Sequence, residues 1–157
     1  MNREGIEILK KLLEGQLQMY KSELEIVGNK INYVEKDQLE LMEQESEKEK
    51  LIIQKIEILE ANRIKLVEKM GHTTLKELIE QVEDEKEKNS LRAMRKELKD
   101  VLSELKNRNE LLQDLVKVSS TILEKTLNAI TGSKEVGYKQ DKQKTIINDS
   151  NLLNKKY

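Results

Sequence analysis

Ile6, Leu9, Leu13, Leu17, Tyr20, Leu24, Val27, Ile31 and Val34 follow one another at steps of three and four residues. Side chains so spaced fall on one face of an α-helix, so this segment reads as one long amphipathic helix. From Leu17 onward the steps alternate as in a heptad, the pattern of helices that pack side by side along their length. Nothing forbids continuing that habit, because none of the 157 residues is proline, the strongest helix breaker. Phe and Trp, which fill thick globular cores, are absent as well. A slender bundle with a Leu/Ile seam needs neither. With 38% charged and 36% hydrophobic residues, the chain has the balance of long, surface-exposed helices.

Leu41 keeps the phase of the first stripe, but Gln38 and Glu45 take the next seam positions and residues 43–50 are polar throughout. The polar run reads as a solvated helical stretch or a joint, with Asp37 able to cap a second helix. One helix over 4–70 and two helices both satisfy the pattern. The stripe resumes at Ile52, Ile56, Leu59, Leu66 and Met70, interrupted by Arg63. Gly71 suits the left-handed position that ends a helix, and Thr74 with Glu77 forms a capping box that opens another, so residues 71–74 are expected to turn the chain. Leu75, Leu78, Ile79 and Val82 follow, then a polar run over 83–89 that allows a break near 89–90 with Asn89 or Ser90 as cap. Leu91, Met94, Leu98, Val101, Leu105, Leu112, Leu115, Ser119 and Ile122 continue the stripe towards Gly132-Ser133.

The expected fold is therefore all-α: an elongated antiparallel bundle of three to four long helices, a coiled-coil-like hairpin with helices over 4–35, 38–70 and 74–131. Folding about the 71–74 turn would lay residues 74–107 against the segment before it. The stretch after Asn107 would pack on the first helix or project. Residues 1–132 form the bundle in this reading. Residues 133–157 lose periodicity, carry Lys134, Lys139, Lys142, Lys144, Lys155 and Lys156, and read as a mobile basic tail.

Several function classes are disfavoured. Net charge is −1 and cysteine is absent, so neither nucleic acid nor thiolate metal binding is indicated. Basic residues alternate with acidic ones and lack stacking aromatics, so no nucleic-acid partner is expected. No run approaches the roughly 20 apolar residues of a membrane span, and Met1 to Gly5 lead into an amphipathic segment, so no membrane insertion is expected and the cytoplasm is the expected compartment. His72 is the one histidine and falls in the turn, where it cannot build a zinc site or a catalytic triad. No enzyme activity, metal or cofactor is expected.

The last helix carries more apolar residues than one seam requires. Leu102, Leu111, Val116, Val118, Leu123, Leu127 and Ile130 stand outside the one-in-three-or-four stripe. Such a face serves two neighbouring helices of the same chain, self-association, or a partner helix in a groove.

The order of features carries a resemblance. A heptad helix leads to Glu35-Lys36-Asp37-Gln38-Leu39; Leu59-Glu60-Ala61-Asn62-Arg63, the glycine turn and Thr74-Leu75-Lys76-Glu77-Leu78 follow. Leu105-Lys106-Asn107-Arg108-Asn109-Glu110-Leu111-Leu112 then lies in a long helix, with Gly137-Tyr138 beyond. Across residues 4–140 this resembles the FlgN-type chaperones of flagellar type III export. One departure is that Gly137 precedes Tyr138 and Lys139 follows, whereas the family tail usually shows Tyr then Gly. The resemblance implies a cofactor-free cytoplasmic protein that binds the C-terminal helical region of the hook–filament junction proteins. It would prevent their premature assembly and deliver them to the flagellar export apparatus. Leu111, Leu112, Leu115, Val116, Val118, Ile122, Leu123, Leu127 and Ile130 are then the candidate substrate face. Arg63, Asn107 and Asn109 are candidates for a structural polar layer, and Tyr138 for docking on the export apparatus. A monomer is favoured. A coiled-coil adaptor, or a chaperone for another flagellar substrate, are the alternative readings.

Overall fold

The structure, a computed structural model, describes residues 2–131 of the chain, with the side chains of Leu123 and Thr131 outside the description. It is all-helical: α1 (Arg3–Glu35), α2 (Leu39–Lys69), the short α3 (Leu75–Glu80) and α4 (Glu85–Thr131). The first two are separate helices, joined by a turn that the backbone closes on itself. Asp37 takes a left-handed conformation at φ 60, which an Asp tolerates better than most side chains. The Asp37 N–H donates to the Val34 carbonyl and the Gln38 N–H to the Tyr33 carbonyl, the paired bonds of a Schellman ending. Asp37 therefore terminates α1 and does not cap α2, where Gln38 holds the cap position without a side-chain bond.

The second turn uses the same device with the residue that adopts it most easily. Gly71 sits at φ 88, and Gly71 and His72 donate to the carbonyls of Glu68 and Val67. Thr74 and Glu77 then bond reciprocally to open α3 as a capping box. α3 lasts six residues and buries Leu75, Leu78 and Ile79. The break that follows lies at residues 81–84 and not at 89–90, which are inside α4. Asp84 is the reason: its Oδ1 accepts from the N–H groups of Lys86 and Glu87 and satisfies donors at the head of α4 that would otherwise be orphaned.

α1 is the central element, packed along α2 on one side and along α4 on the other. Gln16 meets Glu60 and Lys30 meets Glu49, so α1 and α2 run antiparallel. Lys10 meets Glu87, Lys21 meets Glu97, and Arg108 lies against Gly28, so α4 runs parallel to α1. The antiparallel bundle thus holds, but the chief partner of α4 is α1 and not the α2 segment that precedes the turn. The core threads between these helices from Ile6 and Leu9 to Leu112 and Val116.

The two sides of α1 differ in chemistry. Gln16, Glu23 and Lys30, seven residues apart, are all buried on α1. Facing them, α2 buries Glu45, Glu49, Glu60 and Arg63 among Met42, Ile56 and Val67. Gln16 Nε2 donates to Glu60 Oε2 at 2.7 Å and Arg63 Nη2 to Glu60 Oε1 at 2.6 Å. Lys30 Nζ lies 2.9 Å from Glu49 Oε1, both side chains almost fully enclosed.

Candidate protein-binding site at the end of the last helix

α4 is 47 residues long, about 70 Å at the α-helical rise, whereas α1 has 33. The pairs Lys10–Glu87, Lys21–Glu97 and Gly28–Arg108 are offset by 77, 76 and 80 residues. Glu35, the last residue of α1, therefore stands beside about residues 111–115 of α4. From there α4 runs on past the end of its partner.

The buried stripe of α4 shows the consequence. Leu98, Leu102, Leu105, Asn109, Leu112, Val116 and Ser120 are buried at steps of four and three. Leu127 and Ile130 continue the same phase and are exposed, Ile130 at 77%. The stripe keeps its apolar chemistry where the described residues no longer bury it. A second apolar row appears on the flank: Leu111, Val118 and Ile122 are exposed, the last at 59%, with half-buried Leu115 packed at the edge of the core. Along the body of α4 that flank is ionic, occupied by Glu97, Glu104 and Arg108, the last two paired at 2.9 Å. Five of the nine exposed large hydrophobics among the described residues thus lie on the second half of α4: Leu111, Val118, Ile122, Leu127 and Ile130.

The structure divides the nine apolar candidates. Leu112 and Val116 belong to the core against α1, so they hold the bundle together. Leu111, Val118, Ile122, Leu127 and Ile130 are exposed, Leu115 bridges the two sets, and the side chain of Leu123 is outside the description. The three polar-layer candidates separate as well. Arg63 is 1% exposed and ion-paired with Glu60, and Asn109 is buried within the α4 stripe. Asn107 faces solvent and enters no layer, because its position is on the opposite side of α4 from that stripe. Tyr138 and the rest of residues 132–157 lie outside the described residues. The buried polar residues Gln16, Glu23, Lys30, Glu45, Glu49 and Glu60 are the part that apolar periodicity missed. Their signal is the seven-residue spacing of Gln16, Glu23 and Lys30.

No helix among the described residues is long and apolar enough to cross a membrane, and no group of three or more His, Cys, Asp or Glu among them is placed to hold a metal ion. Fold and site define a class: an elongated all-α bundle whose longest helix outruns its partner and ends in open apolar rows. The chain matches the family model described as FlgN protein over residues 1–146, and it belongs to that family, the flagellar export chaperones. Comparisons with curated proteins and with solved structures gave no significant match.

Proposed function

We propose that this chain is a cytoplasmic, non-enzymatic export chaperone that binds the C-terminal helical region of the hook–filament junction proteins on the second half of α4. It keeps them from assembling early and delivers them to the export apparatus. The observation that carries this reading is the change of exposure along one stripe: it is buried from Leu98 to Ser120, and its apolar continuation, Leu127 and Ile130, is exposed among the described residues. Amphipathic helices that polymerise in a filament bring a matching apolar face, and covering it requires burial and complementarity, with no chemistry or cofactor. Burying each large aliphatic side chain contributes about 1.5–3 kcal/mol before ordering costs, so a few of them suffice for a transient complex.

Calorimetric titration with the C-terminal segments of the junction proteins tests it. Saturable 1:1 binding is expected, weakened at least tenfold, about 1.4 kcal/mol, by Ile122→Asp, with helix content unchanged because that side chain is exposed. Failure to bind any such segment refutes the substrate assignment. Repeating the titration with a chain ending at Thr131 separates delivery from binding. With Tyr138 as the docking contact, substrate affinity survives while export in cells falls.

A further inference from the structure

How many helices a helix can accept is written in the width of its apolar sector, and this molecule supplies its own calibration. At about 100° per residue, the buried residues of α1, from Ile26 round to Ile6, cover about 160° of its circumference. That helix lies between two long neighbours, α2 and α4. The buried stripe of α4 covers only about 80° by the same measure, and along the body α4 has one long neighbour, α1. Towards the end of α4 the width changes. Leu111, Leu115, Val118 and Ile122 form a second row that starts beside the buried Leu112, Val116 and Ser120, and Leu127 and Ile130 continue the old stripe, so from Leu111 to Ile130 the apolar residues together spread over about 180°.

We infer that the end of α4 seats two helices of one export substrate, side by side, as α1 is seated between its two neighbours. This rests on the chaperone reading above and adds the form of the ligand: an amphipathic helix pair and not a single helix. Continuity with an existing interface supports the first seat, since Leu127 and Ile130 prolong in phase the row that α1 covers as far as Val116. A helix there follows on from the end of α1 along the same groove. The second seat is marked by the change of chemistry at Leu111, where a flank that is ionic along the bundle turns apolar. A single helix on either row would leave the other in water. Between the rows stand Ser119 and Thr126, and the Thr126 hydroxyl already donates to the Ile122 carbonyl of its own helix at 2.9 Å, so covering it leaves no donor unpaired. The stretch beyond the buried Ser120, from Thr121 to Thr131, is about 16 Å long, which sets the first seat at roughly three helical turns.

The experiment titrates the full chain, and two paired variants of it, with the C-terminal segment of a junction protein. Val118→Asp with Ile122→Asp disables one row, and Leu127→Asp with Ile130→Asp the other. All four side chains are exposed, so circular dichroism is expected to show unchanged helix content. Each pair is expected to weaken binding at least tenfold, and bound substrate is expected to slow hydrogen exchange on both sides of the helix pair it presents. One variant within twofold of the unmodified chain would overturn the two-seat inference and leave a single-helix chaperone. An unmodified chain that binds no segment would remove the chaperone reading itself. Sedimentation showing a free dimer split by either pair would give the rows to a second copy. A row protected in the free chain and exposed by deleting residues 132–157 would give it to the chain's own end. Either result overturns the inference.

Discussion

The two helices that flank α1 bury opposite kinds of surface. α4 presents Leu91, Leu98, Leu102, Leu105, Leu112 and Val116, relieved only by Asn109 and Ser120. On α2, four of the seven buried residues, Glu45, Glu49, Glu60 and Arg63, carry ionisable side chains. Apolar burial is non-directional, so the α4 seam supplies stability but tolerates sliding. Buried ion pairs gain little net stability, because desolvation offsets their attraction, yet they penalise every misalignment. A slip of one heptad would bring the carboxylate of Glu49 towards Glu23 in place of Lys30. We read the α2 seam as a register device and the α4 seam as the adhesive. The division suits a molecule whose longest helix must be held firmly at one end and stand open at the other.

The largest expected effect comes from breaking one ion pair on the α2 side. Lys30→Met leaves Glu49, enclosed with it, without its lysine, and should cost about 3–5 kcal/mol in urea unfolding. Adding Glu49→Leu should restore stability to that of the unmodified chain or raise it by about 1–4 kcal/mol. A double variant as unstable as Lys30→Met alone would mean that the pair is adhesive after all. On the α4 side no such rescue exists. Leu98→Ala, at a fully buried site, should cost about 2–5 kcal/mol by lost transfer energy and the cavity left behind. A loss below about 1 kcal/mol would show that the α1–α4 seam collapses readily around a void.

What the sequence made legible follows the same division. Gly71, Thr74 and Glu77 were readable because their roles are local: a positive φ and two reciprocal bonds within four residues. Asp84 carries an equivalent cue, with Glu87 three residues on, but in the same polar run Asn89 and Ser90 are caps of equal rank by residue type. The ionic seam escaped because a search for apolar periodicity assigns Gln16, Glu23 and Lys30 to solvent, and only the opposing α2 turns their spacing into an interface. Periodicity names the face of a helix and not the neighbour that covers it. Hence apolar spacing alone lays the start of α4 on α2, whereas its chief partner is α1, and it does not distinguish Leu112, which is buried, from Ile130, which is exposed past the end of α1 at Glu35.

The smallest effect concerns an ion pair at the surface, where neither adhesion nor register is at stake. Arg92 Nη2 donates to both carboxylate oxygens of Glu80 at 3.0 and 3.2 Å, linking α3 to the first turns of α4. The hydrogen bond from Arg92 first, and then the positive charges of Arg92, Lys88 and Lys76, hold the Glu80 carboxyl below its usual range against some desolvation. A lowered value in the folded state means that the stabilisation is fully present above the ordinary glutamate pKa, about 4.3. It fades as pH falls through the folded value. Glu80→Gln should therefore lower the thermal midpoint slightly at neutral pH and low salt, by less as salt is added. In acid, where Glu80 of the unmodified chain is protonated, the two proteins should melt together. A difference that persists in acid would mean that Glu80 fixes α3 by packing. The contrast between a surface pair that titrates away and a buried pair that fixes register would then have to rest on Lys30 and Glu49 alone.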